Sequence, residues 1–139
     1  MALERDDAQA LLARPLVAVI AVEEAGKPPL AVPIWYSYEP GGDAWVITER
    51  DSLKARALRA AGACTLVVDE VQPRTRYVSV ACTVVDERAA TPDDGRAMAE
   101  RYLPPEAVEG YLEFAGQNIG AEVVLTLRPT RWRSADLTV

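Results

Sequence analysis

The chain has 139 residues, half of them hydrophobic and 26% charged, which suits one domain with its own core and lies outside the range of disordered sequences. Its formal net charge of -6 argues against a dedicated nucleic-acid surface, because phosphate neutralisation needs clustered excess Lys and Arg. The complete lack of histidine removes Ser-His-Asp and Cys-His catalysis, histidine-ligated haem and most zinc sites together.

The opening MALERDDAQALLAR places Leu3, Ala8, Leu11 and Leu12 near one face of a helix over 3–13. It is acidic and has no basic region ahead of an apolar core, so no signal peptide is expected. No run approaches the ~20 apolar residues of a membrane span, and the default location is the cytoplasm. Leu16–Val22 is a continuous apolar run rich in valine, the pattern of a strand buried on both faces. After the turn EEAGKPP, Leu30–Tyr38 alternates, with Leu30, Val32, Ile34, Tyr36 and Tyr38 on one side. Pro33 cannot donate to a ladder, so this strand is interrupted there or lies at an edge. EPGGD makes a tight turn into Ala44–Thr48, closing a hairpin.

A helix over 52–61 follows, then strands at Cys64–Asp69 and Arg76–Asp86. The second alternates Val78, Val80, Cys82 and Val84 against Tyr77, Ser79, Ala81 and Thr83. Two short helices come next, split by Pro104-Pro105, with Pro92 and Pro105 in their first turns and Asp93-Asp94 as charges favoured by the helix dipole. Glu122–Leu127 and Thr130–Ser134 read as a closing hairpin-like pair. Six or seven antiparallel strands with few helices predict a mainly β fold, a small closed barrel with peripheral helices, formed by residues 1–139 as one domain. A barrel this small is filled by side chains, so a large ligand belongs outside it, in a cleft against a helix or a partner subunit. Cys64 and Cys82 are expected to be reduced core cysteines, and no metal site is expected. Trp45 is expected to pack, Trp35 to pack or to touch a ligand, and Trp132 to line a pocket or a subunit contact.

Only Lys27 and Lys54 are lysines among the 15 basic residues. Lys54 follows Ile47-Thr48-Glu49-Arg50-Asp51-Ser52-Leu53, where a strand end runs into a helix start. Asp51 or Ser52 can cap that helix, whose free N–H groups form a place for an anion. Hydroxyls from Thr48 and Ser52 and the compact charge of Lys54 could together hold a phosphate. The alternative is an ordinary capped surface helix with Lys54 in water, which the nearby Glu49 and Asp51 favour.

The motifs Val32-Pro33-Ile34-Trp35-Tyr36, Thr48 with Ser52-Leu53-Lys54-Ala55, Leu66-Val67-Val68-Asp69-Glu70 and Tyr77-Val78-Ser79-Val80 stand in an order that resembles the pyridoxamine-phosphate-oxidase-like split-barrel family. The likeness is greatest to the branch that uses the deazaflavin coenzyme F420. It covers nearly the whole chain. It implies a six- to seven-stranded antiparallel split β-barrel, a homodimer, and a cofactor cleft shared by two subunits. It also implies that Lys54, Ser52 and Thr48 hold the cofactor phosphate, with Leu53 in the same segment. Val32, Pro33, Ile34, Trp35, Ile47 and Thr48 would border the ring, and Arg76 and Tyr77 are further candidates for contacts. Where flavin-using members commonly carry Arg-Lys, this chain has Leu53-Lys54, which removes a bidentate phosphate contact. It also has Val80-Ala81-Cys82 where the family has V-x-G, and it has no arginine–histidine pair near its end. The implied activity is hydride transfer from reduced F420 to a small conjugated or unsaturated acceptor. The alternatives are an FMN-dependent oxidoreductase, or a module that carries a flavin, F420 or haem without turnover. The hydride chemistry belongs to the cofactor, no side chain is nominated as catalytic, and the proton can come from water.

Overall fold

A computed structural model describes the whole chain, Met1–Val139. The elements run α1 (Arg5–Ala13), β1 (Ala18–Val22), β2 (Leu30–Ile34), β3 (Ser37–Tyr38), β4 (Ala44–Glu49), α2 (Leu53–Ala61), β5 (Ala63–Glu70), β6 (Arg76–Ala89), α3 (Pro92–Tyr102), α4 (Pro105–Asn118) and β7 (Glu122–Asp136). The seven strands pair antiparallel in the order β2-β1-β5-β6-β7-β4-β3. The two outermost strands, β2 and β3, are consecutive in the chain, joined only by Trp35 and Tyr36. That short link forces the sheet to curl until its edges meet, which makes the expected split barrel. No helix is long and apolar enough to cross a membrane.

Side-chain alternation decides what fills the barrel. Ile20, Val22, Leu66, Val68, Val78, Val80, Val46, Leu125 and Leu127 take every second position of their strands and are at most 1% exposed. Tyr36 and Tyr38 join them from the β2–β3 side, as the alternation from Leu30 to Tyr38 predicts. Pro33 lies in edge strand β2, opposite Val19, the kind of strand in which a missing N–H is tolerated. Cys64 and Cys82 are buried, unbridged and directly opposite one another across the β5–β6 ladder.

Two expectations are corrected. β1 is not buried on both faces: Val19 is 42% exposed while Ala18, Ile20 and Val22 are buried. Val19 therefore points outward, where a valine reflects β propensity as much as burial. The closing hairpin over Glu122–Leu127 and Thr130–Ser134 is instead one continuous strand, β7, paired throughout with β6. Pro129 suggests a turn, but the strand absorbs it in a bulge. Cys82 pairs with Pro129 and Ala81 with Arg131, leaving Thr130 as the extra residue, and its hydroxyl donates to the Ala81 carbonyl at 3.1 Å. A second shift at Val84/Asp86 adds to the bend the barrel needs.

Polar contacts pin α1 and α3 to this barrel. The Tyr36 hydroxyl donates to the Leu12 carbonyl at 2.5 Å. The Tyr102 hydroxyl accepts from the Tyr36 amide at 3.1 Å and donates to the Leu16 carbonyl at 2.8 Å. Arg101 reaches the Ala13 and Arg14 carbonyls at 3.1 and 2.9 Å. Glu70, a buried carboxylate, accepts from Arg14 and from Arg76. Burial alone would raise its pKa, but the hydrogen bonds from Arg76 and Arg14 hold it below the ordinary carboxylate value. A depressed native pKa means that the stabilisation is complete above the unfolded-state value and is lost as pH falls through the folded-state one. Glu70→Gln is therefore expected to lower stability at neutral pH by about 1–3 kcal/mol and to flatten the decline in acid, read as melting temperature against pH.

Candidate functional site

The turn from β4 into α2 builds the first wall of a cleft. Ser52 caps α2, its Oγ accepting from the Ala55 amide at 3.1 Å. The same Oγ lies 3.0 Å from Thr48 Oγ1. Two hydroxyls in contact have two hydrogens and need only one between them, so the other O–H is free to donate outward. The first N–H groups of the helix, those of Leu53 and Lys54, have no intrahelical acceptor. Lys54 is half-buried and makes no ion pair with any carboxylate. The helix ends cleanly at Gly62, whose φ of 68° closes the last turn. Its buried residues Ala55, Ala57 and Leu58 fasten it to the barrel.

The opposite wall is the α3–α4 hairpin. Thr91 and Asp94 form a reciprocal capping box at the start of α3, with Pro92 in the first turn. Arg88 chelates Asp94 at 2.7 and 2.9 Å and, as the largest of several contacts, holds its carboxyl well below the usual range. Between the walls lies a cleft of about 830 Å³, within the range of small-molecule sites. It is lined by Pro33, Ile34 and Trp35, by Ile47, Thr48 and Glu49, by Ser52 and Lys54, and by residues of α3, α4 and the start of β7. Trp35 stacks on Tyr102 with ring centroids 4.7 Å apart and an interplanar angle of 12°, and Tyr111 tilts against it at 5.5 Å. Trp35 is thus both packed and at the cleft.

Seven of the residues singled out from sequence line this cleft: Pro33, Ile34, Trp35, Ile47, Thr48, Ser52 and Lys54. Val32 is half-buried against the core. Leu53, 47% exposed, does not line the cleft. Arg76 and Tyr77 lie elsewhere on the chain, Arg76 held by Glu70 and Tyr77 beside Trp132 in a smaller cavity of about 400 Å³. Trp132 sits there under the Arg5 guanidinium, 5.2 Å away, and edge-on to Tyr38.

The cleft also contains residues that the sequence reading passed over, chiefly Tyr111 and Glu122. Tyr111 carries a helical signal and no more. Glu122 is the register partner of Glu49 in the β4–β7 ladder, a pairing between segments far apart in the chain. Two cations line the cleft, and Arg96 is engaged by Glu109 at 2.7 Å, so Lys54 is the one left without a carboxylate.

A profile of the pyridoxamine 5'-phosphate oxidase family matches residues 5–136. The chain belongs to this family. No curated protein matches it. Among solved structures, an F420 reductase is 22% identical, with a TM-score of 0.63 over 89% of this chain and 94% of its own. A conserved hypothetical protein from Mycobacterium tuberculosis superposes with a TM-score of 0.70 at 18% identity, over 96% of this chain and 85% of its own. An FAD-binding protein from Mesorhizobium loti gives 0.63 at 15%, over 98% and 95%. At these identities the likeness to the solved structures is one of fold. Membership of the pyridoxamine 5'-phosphate oxidase family is the stronger finding, and it fits flavin-type oxidoreductase chemistry in general.

Proposed function

We propose that residues 1–139 form one domain that binds a flavin-type cofactor in the cleft, with F420 preferred, and act as a cytoplasmic, homodimeric F420-dependent oxidoreductase. The observation that carries the reading is Lys54, an ammonium free of any carboxylate at the start of α2, beside the paired hydroxyls of Thr48 and Ser52. These groups fit a phosphate approached from one side. When bound, the reduced cofactor would supply a hydride to a small conjugated or unsaturated acceptor.

The residues of the chain bind and orient. Lys54, Ser52 and the Thr48 hydroxyl hold the phosphate, while Pro33, Ile34, Trp35 and Ile47 border the ring. The preference for F420 rests on the phosphate contact. A phosphate monoester such as that of FMN carries nearly two negative charges, whereas the phosphodiester of F420 carries one. With Leu53 where flavin-using relatives have arginine, one lysine and no bidentate guanidinium is left to meet the phosphate, which weakens the hold on a dianionic monoester more than on a singly charged diester. Tyr77, away from the cleft within one chain, would reach the cofactor only from a partner subunit, whereas Arg76 is committed to Glu70.

Fluorescence titration of the purified protein with F420 and FMN in parallel tests this. Tighter binding of F420, with reduction of a conjugated acceptor, is the expected result. Tighter binding of FMN would move the protein to the flavin-using oxidoreductases. Binding without turnover would make it a carrier, and binding of neither would end the reading.

A further inference from the structure

Glu122 opens β7 on the floor of the cleft, directly opposite Glu49 on β4. Like charges facing across an antiparallel pair destabilise the sheet, and nothing in the fold relieves this one. Neither carboxylate forms an ion pair or a side-chain hydrogen bond. No nearby cation pairs with either glutamate: Arg88 of β6 is engaged by Asp94 and Arg96 of α3 by Glu109, Arg50 beside Glu49 reaches Asp51 at 3.8 Å, and Lys54 of α2 makes no ion pair. The remaining titratable groups of the cleft are Asp93 of α3 and Tyr111 of α4. Tyr111 packs on Trp35, so the cleft floor and the aromatic wall meet where a planar ring and its reaction partner would lie.

We propose that Glu122 is the proton donor of this cleft: its carboxyl, opposed by Glu49 and half-buried beside Tyr111, gives the acceptor the proton that completes its reduction. The assignment rests on the reading of the cleft as a flavin- or deazaflavin-type hydride site. Hydride addition to the electrophilic carbon of a conjugated carbonyl-type acceptor forms one C–H bond and pushes the π electrons toward the carbonyl. The adjacent carbon then takes a proton from Glu122 as the O–H bond breaks, leaving its electron pair on the carboxylate. The acceptor has gained a hydride and a proton, and the reduced cofactor has lost two electrons. Water at the open side of the cleft restores the carboxyl.

The charge balance supports the role. Burial, and then the neighbouring Glu49 carboxylate, raise Glu122 above the ordinary carboxylate value, so it holds a proton at a pH where exposed glutamates have lost theirs. Burial and Glu122 itself likewise raise Tyr111, which stays a neutral wall.

The test has two independent readouts. In the cofactor-free protein, carbon NMR of labelled glutamate side chains follows each carboxyl with pH. One resonance is expected to titrate above the others, to vanish in Glu122→Gln and to move down in Glu49→Gln. In the loaded protein, kcat/KM for a conjugated ketone is expected to fall as pH rises through that same value. Glu122→Gln should abolish this limb and lower the rate by about a hundred-fold or more, with cofactor affinity unchanged. Glu122 titrating with the exposed glutamates, or an unaltered rate and pH profile in Glu122→Gln, would overturn the proposal. Failure of the unmodified protein to bind either F420 or FMN would instead overturn the reading beneath it, and the separate binding titration tells the two failures apart.

Discussion

Lys54→Ala is expected to weaken F420 binding by ten- to a hundred-fold while leaving the melting temperature nearly unchanged. The side chain stands at the cleft with no intramolecular ion pair, so the folded protein loses no charge pairing when it is removed. A charge-assisted hydrogen bond to an anion contributes roughly 1.5–3 kcal/mol, which gives that range of affinity. Raised salt should narrow the difference between the two proteins, because a partly exposed charge is screened. Unchanged affinity in the variant, measured by the same fluorescence titration, would remove Lys54 from the phosphate site.

The largest effect on the scaffold beneath the site is expected from Leu58→Ala. Leu58 is fully buried and belongs to the barrel's core cluster. It is the one large side chain that α2 puts there, alongside Ala57. Removing it leaves a cavity in addition to the lost transfer energy, about 2.7–5 kcal/mol in all. The urea midpoint should fall by at least about 1 M. A nine-residue helix has little stability of its own, so the start of α2 should loosen before the barrel does. Cofactor affinity should then fall although no ligand residue has changed. A variant with the urea midpoint of the parent protein would show that α2 is held by something other than this anchor.

What could be read from the sequence was local. The alternation from Leu30 to Tyr38, the capping serine ahead of Lys54 and the prolines opening α3 and α4 each act within a few residues, and each stands as a pattern in the chain. The break between Leu127 and Thr130 misled because a bulge and a turn interrupt an alternation alike, and only the partner strand decides between them. β1 misled because a valine run is equally compatible with one buried face or two. The Thr48–Ser52–Lys54 cluster was legible as a unit because it lies within one strand-to-helix turn. Glu122 was not, since its meaning depends on facing Glu49 across a pairing that no local pattern encodes. The α3–α4 wall was visible as two helices, but nothing in their periodicity says which cleft they cover.

That same pairing bears on how the protein is made. β4 and β7 are neighbours in the sheet, yet α2, β5, β6, α3 and α4 lie between them in the chain. Pairings between distant segments are slow to form, because the chain between them must be closed before any contact is gained. β1–β2 and β5–β6 join strands consecutive in the chain and can form early. The floor of the cleft, where Ile47 meets Val124 and Glu49 meets Glu122, must wait for the last strand. Until β7 joins them, the chain would hold two separate pieces of sheet, β2-β1-β5-β6 and β4-β3, so the barrel and its cleft arise together and a ligand could select only molecules whose final strand is in place.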